Sequence, residues 1–425
     1  MTASPQTSTP QTDVPQTDTP QTGTCPYAAA PAEDGIGAPA QGLERLDFDP
    51  LLAASVRHPT PMRMRLPYGE GPAWLAGKYA DVVKVTADER FRRGTRVDVA
   101  RMAPSLIAED TWLTRTDPPD HTRLRSAVAA VFGAKAMEKR RAGAERTAKD
   151  LLAKMLERER PADLVAEVLK PLSDGLVHDV VGIPASHRTR VIGWTRRFLS
   201  GAHDHDCTMT AKNAVIDNIA ALVELRRNDL GDDVISHLIR AEDDGLVTRG
   251  ELLGVAVQFH QFSAMRFSAA QVAYLLLTEE GLLGRLRAEP HMVPAAVEEL
   301  LRVMPIIGAA GGGPRVTSCA VEVGGSVIPP RSTVYSSYVA ANRDPAVYED
   351  PDRVDIDRRA KRHLTFGYGP HHCPAAPLGR LALQALVGAL AEQPHALSVV
   401  SEQVRWASGG AFRGPVKLPV TWRSG

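Results

Sequence analysis

One short segment, Leu364–Leu378, constrains this chain more than any other; it reads LTFGYGPHHCPAAPL. Gly367 and Gly369 precede Cys373, and a helical pattern follows the cysteine. Glycines permit positive φ and let the backbone approach a flat ligand closely. A thiolate at the start of a helix is stabilised there, and N–H groups just after it can donate to the sulfur. The segment predicts either a loop that presents a thiolate to a bound metal or a glycine-rich turn around a buried structural cysteine.

The remainder of the chain is mainly helical in pattern. Strand-like runs are short and grouped, at Ala320–Val323, Ser326–Ile328, Thr333–Tyr338 and Lys417–Thr421, with a brief β-branched alternation at Asp81–Thr86. Helices combined with grouped rather than alternating strands predict a mainly α, α+β fold. Apolar residues recur with helical spacing in the windows 120–133, 136–158, 161–182, 186–200, 211–228, 232–241, 248–279, 294–303 and 375–392.

The N-terminal segment differs in composition from everything that follows. The triplet Pro-Gln-Thr recurs from Pro5, Pro10, Pro15 and Pro20, and such a stretch buries too little apolar surface to offset its ordering entropy. We therefore expect residues 1–42 to form a disordered Pro/Gln/Thr-rich tail. No later stretch has the composition of a linker, so residues 43–425 are expected to form a single catalytic domain.

Composition excludes several classes of protein. The chain has 50 Lys+Arg and 50 Asp+Glu, whereas a nucleic-acid binder would show a basic excess. The four cysteines are scattered without a CxxC pair, which argues against a disulfide scaffold and favours a cytoplasmic location. No apolar stretch of about twenty residues predicts a membrane span, and no Walker loop, G-x-G-x-x-G or G-x-S-x-G motif is present.

The pattern Phe366-Gly367-x-Gly369-x-His371-x-Cys373 resembles the haem-binding loop of the cytochrome P450 superfamily. The resemblance implies that Cys373 is the axial thiolate ligand of haem b, whose iron it supplies with electron density. It also implies that His371 lies near a haem propionate. Ala375 stands where the family usually has glycine, and its methyl group is expected to shift the loop slightly.

Three further motifs resemble the same family. Glu299 and Arg302 match its ExxR pair, although alone such a pair is more often a solvated contact on a helix. Arg353, in Asp350-Pro351-Asp352-Arg353, matches the third member of that buried triad. The stretch DPPDHTRLR matches the helix that binds the haem propionates through two cations on one face, His121 and Arg125.

Arg315 resembles another propionate-binding arginine. The resemblance runs from about residue 43 to the C-terminus. It implies the cytochrome P450 fold, with a long central helix over the haem and a small β-sheet region near the N-terminus and around residues 320–340.

The central helix departs from the family in the residues that matter for catalysis. Counted back from Glu299, the family signature Ala-Gly-x-acid-Thr falls on His260-Gln261-Phe262-Ser263-Ala264. In the family, the acid and the alcohol relay protons to the oxygen that reacts at the haem iron. Ser263 keeps a hydroxyl at the acid position, and Ala264 has nothing to donate.

Two interpretations of this departure compete. In one, ordered water supplies the protons and the enzyme hydroxylates a small hydrophobic metabolite. In the other, the ferryl haem removes hydrogen from an aromatic substrate, and the radical forms a C–C or C–N bond while oxygen leaves as water. The sequence is similar to actinobacterial members acting on cyclic dipeptides, which implies coupling of a Trp- or Tyr-containing cyclic dipeptide in bacterial secondary metabolism. A third hypothesis, from another class, is a non-catalytic haem sensor or carrier.

His260 occupies a position where the family keeps Ala or Gly, so we expect it directly above the iron. There it would bind substrate, relay a proton or ligate the iron. Alternatively, a register slip of one turn would leave His260 on the outer face of the helix. We therefore name His260, Ser263 and Ala264 as the candidate catalytic residues.

Other parts of the substrate pocket follow from family position. The loop Arg93–Met102 is expected to roof the pocket, Ile307–Gly313 to line it, and Ala407–Phe412 to close its far side. The cluster His203–Cys207 resembles a metal site, but five consecutive residues cannot all point at one ion, so a solvated loop is favoured.

The absence of a flavin or nucleotide motif implies that electrons come from other proteins. By resemblance to bacterial members, we expect a ferredoxin and its reductase as partners. Arg123, Arg125 and Arg380 are the basic residues suggested for the docking face. We expect the chain to act as a monomer.

Overall fold

The structure is a computed structural model, and it describes residues 46–66, 70–93, 112–189, 193, 205–260, 264–306, 313–359, 362–407 and 412–423. The predicted tail, residues 1–42, lies outside the described residues, so the tail and the single catalytic domain of residues 43–425 stay predictions. Most of the predicted helix at 186–200 also lies outside them.

Helices make up most of the described chain, as the sequence predicts. They form where apolar residues recur at helical spacing, and N-terminal capping side chains mark where some of them begin. Asp49 accepts from the Leu51 N–H, and Asp233 accepts from the Ser236 N–H. In chain order the helices are α1 (Pro50–Arg57), α2 (Tyr79–Ala87), α3 (Asp120–Val128), α4 (Ala134–Leu156), α5 (Lys170–Val181), α6 (His205–Arg227), α7 (Val234–Asp243), α8 (Arg249–His260), α9 (Ala264–Thr278), α10 (Leu282–Ala288), α11 (Val293–Val303), α12 (Tyr338–Ala341) and α13 (Ala376–Glu392).

The strands are short and gather into small sheets. In chain order the strands are β1 (Met62–Met64), β2 (Ala73–Ala76), β3 (Phe91–Arg92), β4 (Ala162–Asp163), β5 (Arg315–Thr317), β6 (Val321–Val323), β7 (Ser326–Ile328), β8 (Thr333–Ser336), β9 (Ala396–Val399), β10 (Arg405–Trp406), β11 (Pro415–Lys417) and β12 (Pro419–Arg423). A five-stranded sheet has the order β1-β2-β8-β5-β3, a three-stranded sheet has the order β4-β12-β9, and β6-β7 and β10-β11 are two-stranded. In the first sheet, β2 pairs with β8 in parallel, with Trp74 beside Val334.

Two local predictions were wrong. Asp81–Thr86 belongs to α2 rather than to a strand, because Val82 and Val85 are fully buried at helical spacing and this packing outweighs the β-branched propensity. The predicted strand Thr333–Tyr338 ends at Ser336, and Tyr338 opens α12 under the capping hydroxyl of Ser337.

The predicted central helix, 248–279, is described in two pieces. They are α8, which ends at His260, and α9, which begins at Ala264. Residues 261–263, including Ser263, lie outside the described residues. Both pieces are mostly buried, and their residues join an apolar cluster to which α4, α5 and α13 also contribute. The helix therefore runs through the core and can present side chains to a site inside it.

Candidate active site

The loop before α13 is shaped around Cys373. The Cys373 N–H donates to the Phe366 carbonyl at 2.7 Å, and the Gly367 N–H donates to the Leu364 carbonyl at 2.7 Å. Gly367 and Gly369 have φ of +77° and +71°. A Cβ on Gly369 would lie 2.5 Å from the Thr86 carbonyl oxygen, so only glycine fits there.

The residue after Pro374 does not require glycine. Ala375 has φ −87° and ψ 10° and caps the start of α13, and every L-residue adopts that negative φ without strain. The replacement of the family's glycine by alanine is therefore compatible with the backbone of this loop.

The Cys373 sulfur lies in an environment with opposing effects on its charge. Burial raises the pKa of the thiol to about 11, while the N–H groups of Ala375 and Ala376 and the guanidiniums of Arg125 and Arg380 act in the opposite direction. Arg125 also donates to the carbonyls of His372 at 2.5 Å and Pro370 at 3.3 Å. It thereby ties α3 to the cysteine loop.

A cation cluster lies beside this loop: the buried guanidiniums of Arg93 and Arg315, flanked by the imidazoles of His121 and His371. The rings of His121 and His371 are 4.1 Å apart. Burial, reinforced by neighbouring positive charges, lowers the pKa of Arg93 to about 9 and that of His121 to about 4, and it also lowers the pKa of His371. Arg315 Nη2 and His371 Nε2 are buried without a hydrogen-bond partner among the described residues. Such a cluster requires an anion to compensate it.

The sulfur and much of the cation cluster meet at one cavity of about 270 Å³. Its wall includes Cys373 with Phe366 on one side, and Arg93, His121 and His371 at the cationic cluster. Haem b is a flat apolar macrocycle with two carboxylates and an iron that accepts a thiolate. The cavity has a counterpart for each of these parts, so the residues present fit haem, with Cys373 as the iron ligand and the cation cluster as the partner of the carboxylates.

Arg93 was missed as a cofactor-binding residue. In the sequence, Arg93 marks only the start of a predicted pocket loop, whereas the structure buries it next to Arg315, with its backbone N–H donating to the Asp117 carboxylate. No spacing in the sequence pairs residues 93 and 315. They meet because β3 and β5 are neighbours, with Arg92 opposite Val316.

The buried ion pair that resembles ExxR is present, but its third member is a different residue. Glu299 and Arg302 are 6% and 2% exposed and share two hydrogen bonds of 2.7 and 2.8 Å. The guanidinium that joins them belongs to Arg358, whose Nε donates to Glu299 Oε1 at 3.1 Å. Arg353 contributes only its backbone carbonyl, which accepts from Arg302 Nη2 at 3.0 Å. The prediction of Arg353 as the third side chain was wrong, because the turn after Pro351 exposes residue 353 and brings 358 inward.

The central helix contributes to the cavity wall, but not through the histidine expected there. Ala264 lines the cavity together with Met265 and Ser268. His260 is 6% exposed and is not among the described residues that line it. Its ring instead stacks on His178 of α5, with centroids 5.6 Å apart and planes 19° apart. The expectation that His260 lies directly above the iron is corrected: the residue is buried between two helices.

The predicted pocket loops lie partly outside the described residues, which exclude 94–111, 307–312 and 408–411. Ile306 and Phe412, at the ends of two of these segments, line the cavity. His203 and Asp204 of the polar cluster also lie outside. Within the described part of the chain, no group of three or more His, Cys, Asp or Glu side chains could hold a metal ion.

The residues suggested for a docking face are engaged inside the molecule. Arg123 pairs with Glu251 and Asp120, Arg380 pairs with Glu298, and Arg125 binds the cysteine loop. The charges of Arg123 and Arg380 are paired with carboxylates, and the Arg125 guanidinium is held by two backbone carbonyls. Among the described helices, none combines the length and apolarity needed to cross a bilayer.

Comparisons with known proteins bear on this site. A family model described as Cytochrome P450 matches residues 285–392, the segment that contains the Glu299–Arg302 pair and Cys373. The chain is 39% identical to biflaviolin synthase CYP158A1 of Streptomyces coelicolor over 389 residues, covering 90% of this chain and 95% of that protein.

Two further relatives extend the range of reactions. The chain is 35% identical to the mycinamicin IV hydroxylase/epoxidase of Micromonospora griseorubida over 85% of this chain and 92% of that protein. Its structure superposes on the crystal structure of cytochrome P450mel 107F1 "with biaryl coupling reactivity" with a TM-score of 0.83 and 34% identity, covering 91% of this chain and 99% of that one.

Proposed function

Since this chain belongs to the cytochrome P450 family and is a haem-thiolate monooxygenase of bacterial secondary metabolism, we propose that it couples aromatic groups oxidatively through a new C–C or C–N bond. The substrate class we propose is a Trp- or Tyr-containing cyclic dipeptide. A ferredoxin and its reductase would supply the electrons.

One observation carries the proposal. Ala264 stands at the position of the family's alcohol and lines the cavity with a methyl group that cannot donate a proton. Haem supplies the reductive activation of dioxygen when it is bound. A positioned donor accelerates proton transfer by roughly 10²–10⁴-fold. Hydroxylation and coupling both consume two protons at dioxygen, so the missing donor does not choose between them by itself; it marks a site that departs from the ordinary hydroxylase arrangement, as in family members with atypical reactions.

The coupling reaction balances without oxygen insertion. Two ring positions each lose one hydrogen atom, which leaves one unpaired electron on each ring. The two unpaired electrons then form the new bond between the rings. Dioxygen takes up these two hydrogen atoms together with two electrons from the ferredoxin and two protons, and it leaves as two molecules of water. The enzyme's own residues must therefore bind two rings close together and keep them away from solvent.

The described cavity wall suits aromatic substrates. Phe132 and Phe259 stack on each other with centroids 5.1 Å apart, and Phe412 lines the same cavity. Aromatic side chains bind ring systems through offset and edge contacts. The names of two relatives, a biflaviolin synthase and an enzyme with biaryl coupling reactivity, support coupling as the reaction.

The test is product analysis with isotopic oxygen. The haem-loaded enzyme, a ferredoxin, its reductase and NADPH are incubated with Trp- and Tyr-containing cyclic dipeptides under ¹⁸O₂, and products are read by mass spectrometry. Coupling predicts the mass of one or two substrates minus two hydrogens, with no label in the product. A product that gains one labelled oxygen atom would overturn the proposal in favour of hydroxylation.

Hydroxylation is the second candidate because the central helix keeps a hydroxyl on the cavity wall. Ser268 lies one turn beyond Ala264 and lines the cavity, and a relative is named as a hydroxylase/epoxidase. Its Oγ, however, donates to the Ala264 carbonyl at 2.9 Å, so its proton is engaged within the helix.

A protein that shows the red-shifted carbon monoxide band but consumes no oxygen with any substrate would instead be a sensor or carrier.

A further inference from the structure

A buried carboxamide on the cavity wall has a polar end that nothing in the described protein satisfies. Gln258 lies on α8 and is 9% exposed, and it lines the cavity. Its Oε1 is buried and has no hydrogen-bond partner among the described residues. Burying an amide oxygen without a partner is unfavourable. A side chain of this kind on a ligand cavity is therefore expected to bind a donor that the ligand brings.

Three other neutral polar side chains in or near the wall are already engaged. The hydroxyls of Ser268 and Thr365 line the same cavity and donate to the carbonyls of Ala264 at 2.9 Å and Leu301 at 2.7 Å. Gln271 on α9 also has an unpartnered Oε1, but its Nε2 is anchored on the Arg413 carbonyl at 2.6 Å and it is not among the lining residues. Gln258 differs from these residues because its unsatisfied acceptor belongs to a side chain on the cavity wall.

Apart from Gln258, the residues of α5 and α8 that line the cavity are apolar. Val177 and Val181 of α5 line the cavity together with the stacked rings of Phe132 and Phe259. In apolar surroundings a hydrogen bond is electrostatically stronger and an unmatched polar group costs more than in water. This part of the wall therefore selects a ligand that is largely aromatic or aliphatic and carries an N–H or O–H group at one point.

We propose that Gln258 determines specificity by pairing with the secondary amide of a cyclic dipeptide. A carboxamide presents an acceptor beside a donor. The amide in a six-membered cyclic dipeptide is cis, so its N–H and C=O lie on one edge and match the carboxamide with two parallel hydrogen bonds. A phenol supplies only one such group at a time. The inference rests on the proposed function, and it adds the residue that recognises the substrate's polar ring.

The test measures binding separately from turnover. Cyclo(L-Trp-L-Trp) and its N,N′-dimethyl analogue, which has no N–H to donate, are titrated by equilibrium dialysis against the haem-loaded wild type, Gln258→Leu and Gln258→Glu. We expect Gln258→Leu to weaken binding of the unmethylated ligand by about tenfold or more, equivalent to about 1.4 kcal/mol. Gln258→Glu keeps an acceptor and loses the donor, so an intermediate loss is expected. Gln403→Leu makes the same chemical change at an exposed position and should bind as the wild type does.

The dimethyl analogue keeps the inference testable even if a Gln258 variant loses haem. It should bind the wild type about tenfold more weakly than the parent compound, and it should bind Gln258→Leu and the wild type equally. Equal affinity of the wild type for both compounds, or of Gln258→Leu and the wild type for the parent, would overturn the inference.

Two outcomes separate this inference from the proposed function. If the wild type couples 2-naphthol but binds no cyclic dipeptide, coupling stands and the assignment of Gln258 is wrong. If the enzyme inserts labelled oxygen into a cyclic dipeptide and binding still depends on Gln258, the assignment stands and coupling is wrong.

Discussion

Replacing Arg358 or Arg353 by alanine tests which of these two arginines completes the buried ion pair. Arg358 is 10% exposed at its side chain, and its Nε donates to Glu299 Oε1. Its two Nη atoms donate to the carbonyls of Glu349, Asp350 and Arg353. Arg353 is exposed, and its backbone carbonyl, which a substitution retains, is the part that contacts Arg302. Arg358→Ala therefore removes the partly buried contact with Glu299 and three contacts with backbone carbonyls, whereas Arg353→Ala removes none of them.

The size of the effect follows from these contacts. Breaking a buried ion pair by removing one partner costs about 3–5 kcal/mol. Arg302 still neutralises Glu299 in the variant, so we expect a loss of about 2–4 kcal/mol for Arg358→Ala. Arg353→Ala should stay within about 0.5 kcal/mol, as exposed substitutions usually do. With an unfolding entropy of ~2.1 cal/mol/K per residue over roughly 380 residues, a loss of about 3 kcal/mol lowers Tm by about 4 °C.

The assay is differential scanning calorimetry of both haem-loaded variants, with haem content measured by absorbance per protein. Arg358→Ala should show the lower Tm and retain less haem, because the loop that follows residue 358 leads to Cys373. The reasoning would be refuted by equal destabilisation of the two variants, or by a larger loss for Arg353→Ala.

Three further predictions concern the cysteine loop, the helix contacts and the reaction. Gly369→Ala places a Cβ 2.5 Å from the Thr86 carbonyl at a φ of +71°, so we expect about 2 kcal/mol of destabilisation and lower haem retention. The control is Gly388→Ala, which has nothing within 4 Å of its Cβ and should retain haem normally. Hydrogen bonds from Arg123 and from Thr248 lower the pKa of Glu251 to about 2, so the carboxylate stabilises the fold above its unfolded pKa near 4.5 and that stability is lost as pH falls from about 4.5 to 2. Glu251→Gln should lower the free energy of unfolding by about 1–2 kcal/mol at pH 7, a modest loss because the ion pair with Arg123 is partly exposed. The difference in urea midpoint between variant and wild type should vanish near pH 2. A difference that stays constant between pH 4.5 and pH 2 would contradict the assignment. Ala264→Thr returns an alcohol to the cavity wall and should raise the rate of substrate-dependent dioxygen consumption at least about tenfold. Ala264→Val, of similar size without a hydroxyl, should leave that rate unchanged in an oxygen-electrode assay.

Residues in a single loop or helix were predicted well. The glycines before Cys373 were assigned to positive φ, and Gly367 and Gly369 have it. Glu299 and Arg302 were expected on one helical face, and they share two hydrogen bonds within α11. His121 and Arg125, spaced by four, both line the cavity. In each case the backbone geometry of one element decides the outcome, and the sequence spells out that element.

Relations between separate elements were predicted less well. Arg353 was chosen over Arg358 because a motif locates a turn but does not say which of its side chains points inward. His260 was placed above the iron by counting along the helix, whereas its ring packs on His178. The position of a residue in a helix tells us which face of the helix carries its side chain. What that face contacts depends on how α5 packs beside α8.

The sequence by itself indicated the kind of cofactor and its ligand through the resemblance of two local motifs, the thiolate loop and the ExxR pair, to those of a known family; such motifs lie within single elements and do not depend on how the elements pack. The tertiary structure decided which basic side chains gather beside the cavity, which arginine completes the ion pair and which side chains of the central helix line the cavity. Arg93 and Arg315 are more than two hundred positions apart in the chain, and they meet because β3 pairs with β5. The physical reason is that the burial of a side chain and the compensation of its charge depend on residues from all the elements packed around it. No single segment of the chain contains all of those residues.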